Sequence, residues 1–134
     1  MRILLDTHVW LWWLLGSPRL PAKERAALDR LGSRGAVRLA AVSLWEAQML
    51  HAKGRLTLDR AFDVWIREAA AAGVVEIVPL DVEVVIALAD LPVTFHGDPA
   101  DRLIVATARA HRVPLATHDR AIRRSRLATL WKAR

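Results

Sequence analysis

Short runs of branched apolar residues alternate with helix-length stretches along the 134-residue chain, and this alternation limits the fold more than any other feature. Residues 2–5, 36–42, 74–78 and 113–117 read as strands, and 128–131 as a fifth. The spacing predicts helices over 9–15, 21–30, 44–53, 60–72, 82–90, 99–111 and 119–126. Glycines at 16, 32, 35, 54 and 73 punctuate them. A strand separated from the next by a helix cannot close a hairpin; it pairs in parallel through a crossover, and both sheet faces need cover. The expected class is therefore α/β, a three-layer sandwich of four to five parallel strands flanked by helices, with residues 1–134 as a single domain.

Several function classes drop out early. The chain has no cysteine, which removes a disulfide framework, a zinc-thiolate site and a thiol nucleophile. It carries no P-loop, no G-x-G-x-x-G and no G-x-S-x-G. The apolar opening, residues 3–15, contains Asp6 and His8, and the uninterrupted part from 9 to 15 is too short to span a bilayer. With no basic leader and no small-residue cleavage site, the expectation is a soluble, unprocessed cytoplasmic protein that avoids membranes.

The net charge of +6 is unevenly spread. Residues 102–134 hold nine Arg/Lys against one acid, whereas residues 1–101 carry a small acidic excess. Arg120, Arg123, Arg124 and Arg126 crowd one segment, and arginine outnumbers lysine seventeen to three. The planar guanidinium fork suits phosphate, so nucleic acid is the favoured partner of this basic third, ahead of an acidic protein or a merely solvated face.

A parallel sheet puts its ligands beyond the carboxyl ends of its strands, and four carboxylates bear on that region. Asp6 and Asp119 follow strands, while Glu46 and Asp101 sit in first turns of helices. Each has a plain structural explanation. Ser43-Leu44-Trp45-Glu46 fits a capping box. Asp98-Pro99-Ala100-Asp101 reads as an N-cap, a proline at N1 and an acid facing the helix dipole. Asp119 fits an N-cap, as do the control residues Asp59 and Asp81. Asp6 resists such treatment, because it interrupts an apolar run and a buried, uncompensated carboxylate costs several kcal/mol or takes up a proton. If Glu46, Asp101 and Asp119 converge on it, a divalent cation resolves their repulsion, and oxygen-only ligands suit Mg²⁺ or Mn²⁺.

Other residues carry less. His8 reads as a packed or capping histidine, and His96, His111 and His118 lack metal-ligand spacing. Ser43 and Thr117 suit water orientation or capping equally. Trp10, Trp12, Trp13 and Trp45 read as core rather than as base-stacking platforms.

These residues resemble the PIN-domain ribonucleases, in particular the VapC-like toxins of bacterial toxin–antitoxin pairs. Leu4-Leu5-Asp6-Thr7-His8-Val9-Trp10-Leu11-Trp12 is similar to the first motif of that group, and Ser43-Leu44-Trp45-Glu46 to the second. His96-Gly97-Asp98-Pro99-Ala100-Asp101-Arg102-Leu103-Ile104 with Ala106-Thr107-Ala108 resembles the third, and Leu115-Ala116-Thr117-His118-Asp119 the fourth. Gly97 stands where a basic residue is frequent and Ala100 where a bulkier apolar one is, departures that bear on substrate preference more than on chemistry. The resemblance implies a sheet of order 3-2-1-4-5, with Asp6 and Asp119 at the switch point between strands 1 and 4 and Asp81 at the edge. It also implies a Mg²⁺- or Mn²⁺-dependent endoribonuclease with Asp6, Glu46, Asp101 and Asp119 as its acidic cluster. A homodimer and a small cognate antitoxin are implied as partners.

On that reading Asp6, Asp101 and Asp119 bind metal, and Glu46 holds a second metal or orients the attacking water. Arg102, Arg120, Arg123 and Arg124 are then candidates for clamping the RNA backbone. The competing reading is a catalytically silent adaptor that binds RNA or protein through the basic third; four carboxylates in its groove would serve it no purpose. A DNA nuclease of related fold ranks last.

Overall fold

The structure is a computed structural model that describes residues 1–95 and 97–134. His96, the first residue of the third motif, lies outside the described residues. Four strands, β1 (Ile3–Leu5), β2 (Val37–Ala40), β3 (Glu76–Val78) and β4 (Leu115–Ala116), form one sheet of order β3-β2-β1-β4. All pairings are parallel, with Leu5 opposite Leu39 on one side and Ala116 on the other. The expected fifth strand shrinks to a single parallel bridge, Leu115 to Leu130. Two backbone bonds hold it there, from Leu115 N to Thr129 O and from Trp131 N to Leu115 O.

The helices are α1 (Thr7–Leu15), α2 (Ala22–Ser33), α3 (Val42–Ala52), α4 (Phe62–Ala69), α5 (Val82–Ala89), α6 (Pro99–His111) and α7 (Arg120–Ser125). Side chains alternate across a strand, and both faces are covered. Ile3, Leu5, Val37 and Leu39 pack with Trp10, Leu28 and Trp65 under α1, α2 and α4. Leu4, Ala40, Val78 and Leu115 turn the other way, against Ile104 and Val105 of α6. This is why β1 and β4 are wholly apolar, while the charged residues of β2 and β3, Arg38 and Glu76, pair with each other at 3.2 Å. Trp10 is fully buried, and its indole N–H donates to Ala69 O at 3.1 Å, tying α1 to the end of α4.

Two local expectations fail. Helix α4 starts at Phe62, and Asp59 caps nothing: it pairs with its neighbour Arg60 at 2.9 Å, an arrangement that local charge favours over the helix start. Trp45, expected in the core, is 52% exposed on α3. Asp81 does cap α5, accepting from Val84 N at 3.0 Å. Among the described residues no helix is long and apolar enough to cross a membrane.

Candidate active site

Asp6 directly follows β1, and its amide continues the ladder onto Ala116 O at 2.9 Å. The carboxyl ends of β1 and β4 therefore lie side by side where the strand order reverses, the crevice that parallel sheets reserve for ligands. Asp6 is 4% exposed there. Thr117, the residue after β4, donates its hydroxyl to Asp6 Oδ2 at 2.7 Å and accepts the Asp119 amide at 3.0 Å. One threonine thus orients the first carboxylate and the backbone carrying the fourth. Asp119 in turn accepts Ile122 N on Oδ1 at 2.9 Å, so its capping role is real.

Glu46 is not part of a capping box. Ser43 lies inside α3, whose N-cap position is Ala41, and the Glu46 side chain is turned inward and buried. Its Oε1 accepts a hydrogen bond from the Thr7 hydroxyl. Thr7 has one proton to give, so the Ser43 hydroxyl, 2.8 Å away, donates to Thr7. The chain Ser43 to Thr7 to Glu46 joins α3 to the first turn of α1. Thr7 is the positioning residue that sequence reasoning missed; the available signal was a hydroxyl directly after a strand-terminal aspartate. Ser43 and Thr117 hold protein groups through these bonds.

Asp101 stands in the first turn of α6, where its amide donates to Asp98 Oδ1 at 3.0 Å; Asp98 is the N-cap and is exposed. Burial, and then repulsion from Asp6, Asp98, Asp119 and Glu46, push the Asp101 carboxyl up to about 8. Burial is also the main reason that Asp6 is raised; the Thr117 bond and His8 oppose the shift, and Asp119 adds to it. Glu46 is raised by burial too, against the pull of Thr7, with Asp6 adding to the rise. All four predicted acids therefore meet in one electrostatic environment.

Among the described residues no three acidic or imidazole groups form a ready-made metal cage. The donor chemistry nevertheless fits a hard divalent cation. The carboxylates are mutually repelling, and Mg²⁺ retains much of its water shell and takes only one or two carboxylates directly.

The four arginines divide. Arg102 is committed to the protein, donating to Phe95 O at 3.1 Å with its guanidinium 5.9 Å from the Phe95 ring centroid. Arg123 donates to Thr117 O at 3.1 Å, bracing the end of β4. Arg120 and Arg124 are exposed. A cavity of about 550 Å³ bordered by Leu14, Leu15 and Trp65 shares no lining residue with the acid cluster.

The sequence profile of the PIN domain matches residues 3–126. Ribonuclease VapC22 of Mycobacterium tuberculosis is 34% identical over 132 residues, covering 96% of this chain and 98% of that one. The crystal structure of VapBC2 from Rickettsia felis, bound to a DNA fragment from its promoter, superposes with a TM-score of 0.70 at 16% identity over the full length of both chains. FitAcB from Neisseria gonorrhoeae gives 0.67 at 24% identity, covering 97% of this chain and 96% of that one. With the profile spanning residues 3–126 and the four motif acids gathered beyond the carboxyl ends of β1 and β4, the chain belongs to the PIN-domain family.

Proposed function

We propose that this protein is a divalent-metal-dependent endoribonuclease, the toxin half of a toxin–antitoxin pair. The observation that carries the reading is the gathering of Asp6, Glu46, Asp101 and Asp119 beyond β1 and β4, with Asp101 pushed up to about 8 by its burial and its neighbours. Perturbed carboxylates crowded in a crevice are poised to bind a cation and not merely to cap helices. The name of the Mycobacterium tuberculosis relative, a ribonuclease, supports RNA as substrate. Assembly of the structural neighbours as VapBC2 and FitAcB supports a small antitoxin as partner.

Asp6, Asp101, Asp119 and Glu46 would hold Mg²⁺ or Mn²⁺. Such an ion, when bound, lowers the pKa of a water and offsets negative charge on the phosphate. The chain's own contribution is orientation. Thr117 fixes one oxygen of Asp6, the Ile122 amide one oxygen of Asp119, and Thr7 one oxygen of Glu46. Attack by water and not by the ribose 2′-hydroxyl leaves 5′-phosphate and 3′-hydroxyl ends. The homodimer expected of the family has a surface available in the outward side of α5, where Val82, Val85 and Ile86 are at least half exposed. Ile86→Glu should then shift the particle mass measured by light scattering from dimer to monomer.

Incubation with labelled total tRNA in Mg²⁺, Mn²⁺ or EDTA tests the main proposal. Discrete fragments that require metal and disappear in Asp101→Asn are the expected result. Metal-insensitive RNA binding without cleavage would move the assignment to a silent adaptor.

A further inference from the structure

A cavity of about 530 Å³ is lined by Lys23 and Glu24 of α2, by His118 and Arg120, the chain neighbours of Asp119, and by Arg123 and Lys132. Its one carboxylate is occupied: Glu24 Oε2 meets His118 Nε2 at 2.8 Å. Arg123 gives one N–H to Thr117 O. Among the described residues, the side chains of Lys23, Arg120 and Lys132 form no hydrogen bond or ion pair. Three separate segments thus deliver unpaired cations to one concavity, two of whose lining residues flank Asp119 in the chain.

Aromatic rings lead to the same place. His118 lies 5.7 Å from the Trp12 ring centroid, and Trp12 lies 6.2 Å from His8, two residues beyond Asp6. A strand with one phosphate at the carboxylates must continue past them, and four acids repel its neighbouring phosphates. The exposed rings of His8 and His118, with half-buried Trp12 between them, offer bases a stacking surface, and the cations lining the cavity offer the backbone the compensation that the centre lacks.

We infer that the Lys23–Arg120–Lys132 cavity is a phosphate subsite that holds the RNA backbone next to the bond being cut. The inference rests on the ribonuclease reading and narrows it: of the basic third, Arg120 and Lys132 bind substrate, joined by Lys23 from the other end of the chain.

Binding is read by fluorescence anisotropy with a short fluorescein-labelled single-stranded RNA, in an Asp101→Asn background that does not cut it, across a salt series. Arg120→Ala/Lys132→Ala should weaken binding about tenfold at 0.1 M salt and flatten the slope of log Kd against log salt by about 1–2. Arg112→Ala/Arg126→Ala removes the same charge outside the cavity and should change Kd less than about twofold. Equal weakening by both pairs would overturn the subsite in favour of net charge. No effect of the cavity pair would overturn it while leaving the ribonuclease reading intact. Failure of the background protein to bind RNA at all would overturn both. If a glutamate-rich peptide lost affinity in the cavity variant and RNA did not, the cavity would belong to a protein partner and the assignment would fall.

Discussion

Thr117 concentrates the site's organisation in one hydroxyl, since it donates to Asp6 and accepts from the Asp119 amide. Thr117→Val keeps the shape and removes both bonds, leaving a buried carboxylate and an amide without that partner. We expect a loss of about 1–3 kcal/mol in stability by chemical denaturation. Cleavage should fall at least tenfold, and Thr117→Ser should restore most of it, which distinguishes the hydroxyl's role from packing. Thr7 acts alike on Glu46. At this scale the acids were readable from sequence and their supports only partly so. Asp6 announced itself by interrupting an apolar run. Glu46 looked the same as a capping-box residue, because S-x-x-E describes local spacing and not the direction in which a side chain turns.

The elements were read best where local physics decides their ends. Helix α6 occupies 99–111 as expected, since Asp98 caps it and Pro99 sets its first turn. Its other end carries a local cost. Arg112 closes α6 in the left-handed region at φ 54°, where a Cβ is disfavoured. Arg112→Gly should therefore raise the melting temperature, by about 0.5–1 kcal/mol in stability. The same residue names mislead where charge pairing competes. Asp59 spends its carboxylate on Arg60, and α4 begins at Phe62, not at residue 60 as that aspartate suggested. All four strands were read as starting too early, and β2 and β4 as ending too late, although flanking residues such as Ala36, Ala41 and Pro114 still share single hydrogen bonds with the sheet.

For the molecule as a whole, the crowded acids impose a pH dependence. The Asp101 carboxyl is raised from an ordinary 3.8 to about 8, so between those values the folded protein binds a proton that the unfolded chain releases. Stability is then greatest at the acid end of this window and falls as pH rises through it, and raised Asp6 and Glu46 act with the same sign. Solvent screening of the half-buried Asp101 limits its share to about 1–2 kcal/mol. Thermal melts of metal-free protein should show a lower midpoint near pH 8 than near pH 5. Asp101→Asn should remove part of that difference, and millimolar Mg²⁺ should raise the midpoint at pH 8. Sequence alone determined the α/β class, the parallel pairing and the anomaly of Asp6, because strand and helix periodicity, crossover length and a charge in an apolar run are all local signals. The tertiary structure decided which hydroxyls aim those acids, that Glu46 turns inward, and which of the scattered basic residues share one cavity. Those outcomes depend on residues such as Asp6 and Thr117, or Lys23 and Lys132, that lie about a hundred positions apart and meet only when β1 pairs with β4 and α2 packs beside the chain's end.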